Sequence, residues 1–377
     1  LIASTPYGFL HHRFQKLADK FRAKGIHVTY IEQTHGWRAY LSRQKRGLAG
    51  NILRSLGFHI VAIASMGFSS LRSKPAPRRR QNPIADFEII EMPLVIPTQR
   101  LDSPFVEKLS TAVFRQVLRR KVFREQSADM RSVAVVDNPL WGLALERNDF
   151  GRIYYDCIDD ISLYAGLCSI DRFQSYEMKL LNISDGAFVT ASKLEEHIRS
   201  QKPDMPIYRI PNGVDDEWFR QQAKQGSVPT DLAAIKRPTV GYVGTLSEWV
   251  DFTLINNVAR ALPDVSFVFV GPMDYKSRAG QLCSSQNIFW LGRKAYSEVP
   301  LYINAFDVCW IPFSSGRITE NTNPIKLFEY FALGKPVVTT RMPEAERYHQ
   351  SGLVYVGNTV DSMVTAVLSA LEERDED

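Results

Sequence analysis

The segment "TNPIKLFEYFALGKPVVTT" (322–340) places two charged side chains on one predicted helix that begins after Asn323 and Pro324. Proline is favoured in the first turn of a helix. Lys326 lies in that first turn, and Glu329 follows one turn later on the same face. The free amides of a first turn bind anions, and a carboxylate one turn further on can accept both hydroxyls of a ribose. The segment therefore fits a nucleoside diphosphate, although an exposed Lys–Glu surface pair would explain the same spacing.

A second cluster of charge stands in "YYDCIDD" (154–160), a predicted strand that ends in Asp156, Asp159 and Asp160. Catalytic groups of open α/β sheets lie beyond the carboxyl ends of the strands. Burial and a like-charged neighbour both raise the pKa of a carboxyl group, which prepares it to act as a general base near neutral pH. Asp159 is the candidate base, and Asp160 is a second candidate at the same strand end. Capping of a helix in "ISLYAGL" is the alternative role for both residues.

Three further loops follow predicted strands. "GYVGT" places Gly244 and Thr245 where a doubly wound sheet binds phosphates. "FWLGRKAY" places Arg293 at another strand end, where a loop could frame a base or where the charge could simply be solvated. The N-terminal loop "STPYGFLHHR" offers Tyr7, Gly8 and Arg13 as weaker candidates that border the same kind of site.

Short β-branched segments alternate with amphipathic helices along the whole chain, which is typical of α/β folds with parallel sheets. "HHRFQKLADKFRAKG" (11–25) is predicted to be a helix that ends at Gly25. After "PNGV" (211–214) the pattern restarts, with six strands and intervening helices. We therefore predict two doubly wound, Rossmann-like domains, one at 1–212 and one at 213–377, the second with its own nucleotide-type crevice.

The charge of the chain is unevenly distributed. The segment from Gln33 to Ala85 contains ten Lys and Arg residues and no Asp or Glu. The net charge of all 377 residues is nevertheless only +5. Trp37 and Tyr40 interleave with the basic residues, a pattern that fits docking of residues 36–80 to an anionic membrane surface, or simply a solvated face. Because no recognition module is visible, nucleic acid is not an expected partner. The four cysteines lack metal-binding spacing and are expected to be buried thiols in a reducing compartment.

The ordered motifs "PNGVD", "GYVGT", "FVGP", "LGRKAYSEVPLYINAFDVCWIPF" and "NPIKLFEYFALGKPVV" resemble the nucleotide-sugar domain of GT-B glycosyltransferases of the group 1, family-4-like type. The opening "PYGFLHHRFQKLADKFRAKGIHVTYIE" is similar to the first domain of these enzymes. Teichuronic acid transferases and the inverting xanthan glucuronosyltransferase are of this kind. The resemblance implies two domains facing across a cleft, an N-terminal acceptor-binding domain at 1–212 and a C-terminal nucleotide-sugar-binding domain at 213–377. It further implies a UDP-sugar donor, a saccharide or lipid-linked acceptor, no cofactor and no metal. It also implies a role in surface polysaccharide synthesis, in the cytoplasm at the inner face of the membrane.

The sequence departs from the family in two places. The family carries a Glu eight positions before the residue that matches Glu329, but here that position is Asn321, with Glu320 one residue out of register. The loop "TLSEWVDF" (245–252) lacks the Arg and Lys that many members carry. The resemblance to the inverting relative implies an Asp at the position of Asp159, which fits the hypothesis that Asp159 is the general base. Two alternatives stay open, a nucleotide-sugar 2-epimerase of the same fold and a non-catalytic subunit that binds membrane or a partner enzyme. The predicted donor-binding residues are Gly244, Thr245, Arg293, Asn323, Pro324, Lys326, Leu327 and Glu329.

Overall fold

The computed structural model describes residues 1–3, 13–33, 87–92, 104–123, 132–160, 169–273 and 285–376. The chain divides into two compact units. The first unit comprises Leu1–Cys157, Ile161–Phe188 and Ile198–Tyr208, and the second comprises Ile158–Asp160, Val189–His197 and Arg209–Asp377. Two short pieces of the N-terminal half thus pack with the C-terminal half.

Within the described residues, the N-terminal sheet has seven strands in the order β3-β2-β1-β4-β5-β6-β7. The pairs β3–β2, β2–β1, β1–β4 and β4–β5 are parallel. Helix α1 packs Phe14 and Ala18 into the core of this unit, and Gly25 follows the helix with φ +74°, as expected for a helix stop. The strands are β1 (Ile2–Ala3), β2 (Val28–Gln33), β3 (Phe87–Met92), β4 (Val133–Val136), β5 (Arg152–Cys157), β6 (Gly186–Val189) and β7 (Ile207–Arg209).

The C-terminal sheet has six strands in the order β10-β9-β8-β11-β12-β13, and every neighbouring pair is parallel. This order reverses direction between β8 and β11, which is the switch point of a doubly wound fold. Ligands of such folds bind beyond the carboxyl ends of the strands at that point. The strands are β8 (Thr239–Val243), β9 (Ser266–Val270), β10 (Ile288–Gly292), β11 (Val308–Ile311), β12 (Val337–Thr339) and β13 (Val354–Val356).

Helices connect the strands in both units, and a 3-10 helix spans Pro139–Leu143. Asp215 caps the helix that follows the predicted domain boundary, because its carboxylate accepts the Trp218 N–H at 3.2 Å. The α-helices are α1 (Arg13–Ala23), α2 (Pro104–Lys121), α3 (Ile170–Ile183), α4 (Ser192–Gln201), α5 (Asp216–Gln225), α6 (Thr230–Ala233), α7 (Phe252–Ala261), α8 (Val299–Ala305), α9 (Arg317–Glu320), α10 (Ile325–Ala332), α11 (Pro343–His349) and α12 (Val360–Glu376).

The six predicted C-terminal strands are therefore confirmed, as are the parallel doubly wound pattern and the first helix. Strand β3 and helix α2 were not predicted from the sequence. Cys157 and Cys309 are buried free thiols, as expected, whereas Cys168 and Cys283 lie outside the described residues. No helix among the described residues combines the length and the apolar character needed to cross a membrane.

Candidate active site

Glycines bring the carboxyl ends of three strands of the C-terminal sheet into close contact. The N–H of Gly244, after β8, donates to the Val270 carbonyl at 2.8 Å, and the N–H of Gly271, after β9, donates to the Gly292 carbonyl at 2.9 Å. A Cβ on Gly271 would lie 2.0 Å from the Gly244 carbonyl oxygen. Only glycine therefore lets the two loops pack backbone against backbone at this edge.

Lys326 extends from the first turn of α10 to the backbone of Gly244. A Cβ on Gly244 would lie 2.1 Å from Cε and 2.8 Å from Nζ of Lys326. The ammonium also lies 5.8 Å from the centroid of the Tyr242 ring, a cation–π distance. We call this arrangement the Lys326 notch, formed by Lys326, Gly244 and Tyr242. It joins two motifs that are 82 positions apart in the sequence.

Burial shifts the pKa of Lys326 below its ordinary value, and the Glu329 carboxylate partly offsets this shift. Glu329 itself is only 9% exposed. An exposed Lys–Glu surface pair therefore does not describe these residues. Burial also raises the pKa of Tyr242, and the charge of Glu329 adds to that shift, so the tyrosine is neutral at physiological pH. Its hydroxyl donates to the Thr245 carbonyl at 3.1 Å and fixes the turn after β8.

Asn323 lies in a buried network that fixes the start of α10. Its side-chain oxygen accepts the Asn212 N–H at 3.0 Å, and its Nδ2 donates to Glu344 at 3.2 Å. The other Glu344 oxygen accepts both the N–H and the hydroxyl of Ser192, at 2.7 and 2.8 Å. Since both ends of the Asn323 amide have protein partners, its visible role is to position the helix. A contact between Asn323 and a donor stays a prediction.

The remaining predicted donor residues occupy different environments. Pro324 is the N-cap residue of α10, and the Leu327 side chain is completely buried in the core below it. Thr245 is exposed in the turn beside the Lys326 notch. Arg293 is exposed after β10, which is two strands from β8 and hence about 10 Å across the sheet. Leu327 thus supports the helix from below, whereas Thr245 and Arg293 present their side chains to solvent.

Asp159 and Asp160 follow β5 in the short segment that packs with the second unit. Burial, together with the neighbouring Asp160 carboxylate, raises the pKa of Asp159 to about 7. The Asp160 carboxylate accepts hydrogen bonds from Arg317 at 2.9 Å and from Asn321 at 3.3 Å. The two adjacent carboxylates therefore have different surroundings. Asp160 has a guanidinium partner, whereas the pKa of Asp159 is raised to about 7.

Arg13, predicted to border the site, forms an ion pair with Asp156 in the first unit. Its Nε lies 3.0 Å from one carboxylate oxygen and its Nη2 lies 3.3 Å from the other. This two-point contact holds the start of α1 against the end of β5. Tyr7, Gly8 and the basic segment 36–80 lie outside the described residues.

Sequence reasoning missed Tyr242, Gly271, Arg317 and Glu344. Tyr242 stands inside "GYVGT", and its place in a strand predicted only burial. Glu344 belongs to "RMPEAE", where an acidic residue in a first helical turn looks like an ordinary dipole partner. Only the folded chain shows that these residues surround the groups identified from the sequence.

Comparison with known proteins finds a family model that matches the C-terminal part of the chain. Residues 237–373 match the family model described as glycosyl transferases group 1. TuaH of Bacillus subtilis, named as a teichuronic acid biosynthesis glycosyltransferase, is 27% identical over 207 residues, which are 52% of each chain. A Mycobacterium tuberculosis protein, named as a GDP-mannose-dependent phosphatidylinositol monomannoside mannosyltransferase, is 25% identical over 215 residues, covering 52% of this chain and 56% of that protein. The chain spans about half the length of these curated relatives.

The fold has relatives among solved structures. Anabaena HepE, solved in complex with UDP and glucose, superposes with a TM-score of 0.59 and 13% identity, and covers 100% of this chain and 90% of that one. At this identity the likeness shows the fold alone. The predicted GT-B fold class and the resemblance to group 1 glycosyltransferases are both confirmed.

Proposed function

We propose that this protein, with a group 1 glycosyltransferase domain at residues 237–373, moves a sugar from a UDP-sugar to a saccharide or lipid-linked saccharide acceptor. The observation that carries the proposal is the Lys326 notch, with the buried Glu329 one turn further along α10. A buried cation at the switch-point edge of the sheet, beside the first turn of a helix, is suited to a diphosphate. In this proposal Glu329 accepts the ribose hydroxyls.

The chemistry requires a leaving group that is stabilised and an acceptor that is activated. The departing nucleoside diphosphate would be stabilised by the charge of Lys326 and by hydrogen bonds from the first-turn amides of α10 and the Thr245 hydroxyl. Asp159 would take the proton of the acceptor hydroxyl while its oxygen attacks the anomeric carbon and the bond to the diphosphate breaks. A base whose pKa is about 7 is substantially ionised at physiological pH. In this proposal protein groups carry the charge, and neither a metal nor a cofactor is required.

The relatives support the class of substrate and leave the nucleotide to experiment. HepE is solved with UDP, whereas the mycobacterial relative is named for GDP-mannose. TuaH supports a role in surface polysaccharide synthesis. We further propose that residues 36–80 dock the protein to the anionic inner face of the membrane, where a lipid-linked acceptor would be presented.

The donor site is tested by thermal unfolding of the full chain with UDP, GDP, ADP and dTDP. A ligand that binds only the folded state raises the melting temperature. UDP should raise it most, and Glu329→Ala should remove the rise. Glu298→Ala, which changes an exposed carboxylate outside the notch, is the control. A rise with GDP alone would reassign the nucleotide, and no rise with any of the four would refute the donor site.

The base is tested by comparing Asp159→Asn with the wild type, using UDP-sugar turnover and unfolding at several pH values. Loss of a general base lowers turnover by about 100- to 10,000-fold. Because the folded-state pKa of Asp159 is raised to about 7, ionisation destabilises the fold as pH rises through that value. Asp159→Asn should therefore melt higher than the wild type at pH 8, with a smaller difference at pH 5. Full turnover by this variant would show that Asp159 is not the base.

A further inference from the structure

One of the two places where the sequence departs from the family pattern lies against Asp160, the neighbour of the candidate base. Asn321 occupies the position of the family's first Glu. Its Nδ2 lies 3.3 Å from the Asp160 carboxylate, and Nη2 of Arg317 lies 2.9 Å from the same oxygen. Arg317 and Asn321 stand one turn apart at the two ends of α9, since the Asn321 N–H donates to the Arg317 carbonyl at 3.1 Å. A single short turn thus directs two donors to one carboxylate oxygen.

The neighbouring acid, Glu320, belongs to a different group of charges. It is exposed, and its charge acts on Lys193, which forms an ion pair with Glu196 at 2.7 Å. The shift of register by one residue therefore separates the two sides of α9. Its negative charge faces Lys193, and its donors face Asp160.

We propose that Arg317 and Asn321 are positioning residues for the base, which hold Asp160 so that the turn Ile158–Asp160 presents Asp159 to the acceptor. This inference rests on the proposed function, because it assigns positioning residues to Asp159, the base proposed there. It explains the departure from the family pattern, since a Glu in place of Asn321 would put a carboxylate against Asp160 where a donor now stands.

The same turn is fixed from a second direction. The Thr190 hydroxyl donates to the Ile158 carbonyl at 2.7 Å. Among the described contacts, Arg317 from α9 faces Asp160, and the Asp160 carboxylate acts on Asp159 within their own turn. Asp160 acts on Asp159 as a fixed negative charge, and Arg317 balances that charge. Removing either partner should change the titration of Asp159, in opposite directions.

The test is a carboxyl ¹³C NMR titration of the full-length protein labelled at aspartate, with the Asp159 signal assigned by its loss in Asp159→Asn. Arg317→Gln should move the Asp159 midpoint upward by roughly half a pH unit or more, because the balancing cation is lost. Asn321→Asp, which replaces a donor with a carboxylate of the same shape, should also move it upward. Asp160→Asn should move it downward. Arg341→Gln is the matched control, since the Arg341 and Arg317 side chains are 64% and 59% exposed and each pairs with one acid.

The outcomes separate this inference from the donor site. A purely structural role for Arg317 and Asn321 would change the melting temperature and leave the Asp159 midpoint in place, which would overturn the proposal. Equal shifts in Arg317→Gln and Arg341→Gln would overturn it as well. The thermal response to UDP is measured on the same samples. Its absence in the wild type would remove the donor site, whereas its presence beside an unmoved midpoint would remove only this inference.

Discussion

The C-terminal sheet buries charge in different ways at the two ends of its strands. We call the side where the strands begin the amino edge and the side where they end the carboxyl edge. At the amino edge, Asp307 is 1% exposed and accepts the Thr239 N–H at 2.7 Å, the Thr239 hydroxyl at 3.0 Å and the Arg237 guanidinium. At the carboxyl edge, Lys326 lies against a glycine backbone and a tyrosine ring, and burial lowers its pKa.

The difference separates a buried charge that its hydrogen bonds compensate from a charge that burial leaves poorly compensated. The hydrogen bonds of Asp307 compensate the cost of burying its charge, so the free protein benefits from it. The lowered pKa of Lys326 means that the free protein pays to keep that cation charged. An anion at the carboxyl edge would recover this energy on binding.

The largest effect is expected at the amino edge. Asp307→Ala should lower the free energy of unfolding by about 3 kcal/mol, because it leaves the buried donors of Thr239 without their acceptor. Denaturant unfolding measures the loss. Asp264→Ala is the control, because Asp264 pairs with Lys236 while 91% exposed and should cost less than about 0.5 kcal/mol. Equal losses in both variants would mean that the amino edge holds no special ion pair.

Lys326→Met should show the reverse behaviour. Nucleotide affinity should fall roughly 10- to 100-fold, as expected for losing a hydrogen bond to a charged group. The free energy of unfolding without nucleotide should not fall, since an apolar side chain of similar length replaces a poorly compensated cation. Calorimetric titration with UDP and denaturant unfolding give the two values. Lys236→Met is the surface control, and a large loss of stability in Lys326→Met would erase the contrast between the edges.

Gly244→Ala should sharpen the comparison with a smaller change. The added Cβ would meet Cε and Nζ of Lys326 and, at 2.7 Å, the Tyr242 hydroxyl, at a backbone φ of +158° that favours glycine. We expect a modest fall in melting temperature and roughly tenfold weaker UDP binding, because the ammonium leaves the notch. Gly213→Ala, where nothing lies within 4 Å of an added Cβ, is the matched control. Unchanged affinity in Gly244→Ala would show that the position of the ammonium does not matter.

The smallest effect is a pH dependence. Because the folded-state pKa of Lys326 lies below its ordinary value, UDP affinity should fall with rising pH earlier than an ordinary lysine would allow. The nucleotide-free fold should gain stability over the same window, since the unfolded chain retains that proton to higher pH. Affinities measured from pH 7.5 to 10 in wild type and Lys326→Met should converge. Parallel curves over that range would contradict a contribution of the Lys326 ammonium to UDP binding.

Local sequence patterns predicted most of the fold. Alternating β-branched strands and capped helices predicted the six C-terminal strands and helix α1, because parallel sheets need apolar strands covered by helices on both faces. Strand β3 and helix α2 were missed. Strand β3 lies at the edge of its sheet, where one partner is enough and a less apolar sequence suffices.

The candidate site was predictable as separate motifs and not as an arrangement. Lys326, Glu329 and Gly244 could be named because helix starts and strand ends have recognisable sequences. The buried network of Asn323 and the clamp on Asp160 depend on contacts between residues more than 100 positions apart, which no local pattern encodes. The structure thus changes the visible role of Asn323 from ligand contact to support.

The second unit also borrows two pieces from the N-terminal half, Ile158–Asp160 and Val189–His197. Glu344 takes two hydrogen bonds from Ser192 in one piece, and Arg317 pairs with Asp160 in the other. A chimera that grafts only residues 213–377 onto another protein's first half would lose both sets of partners. Exchange of C-terminal domains between relatives, in evolution or in engineering, therefore has to carry these two inserts along with the domain they complete.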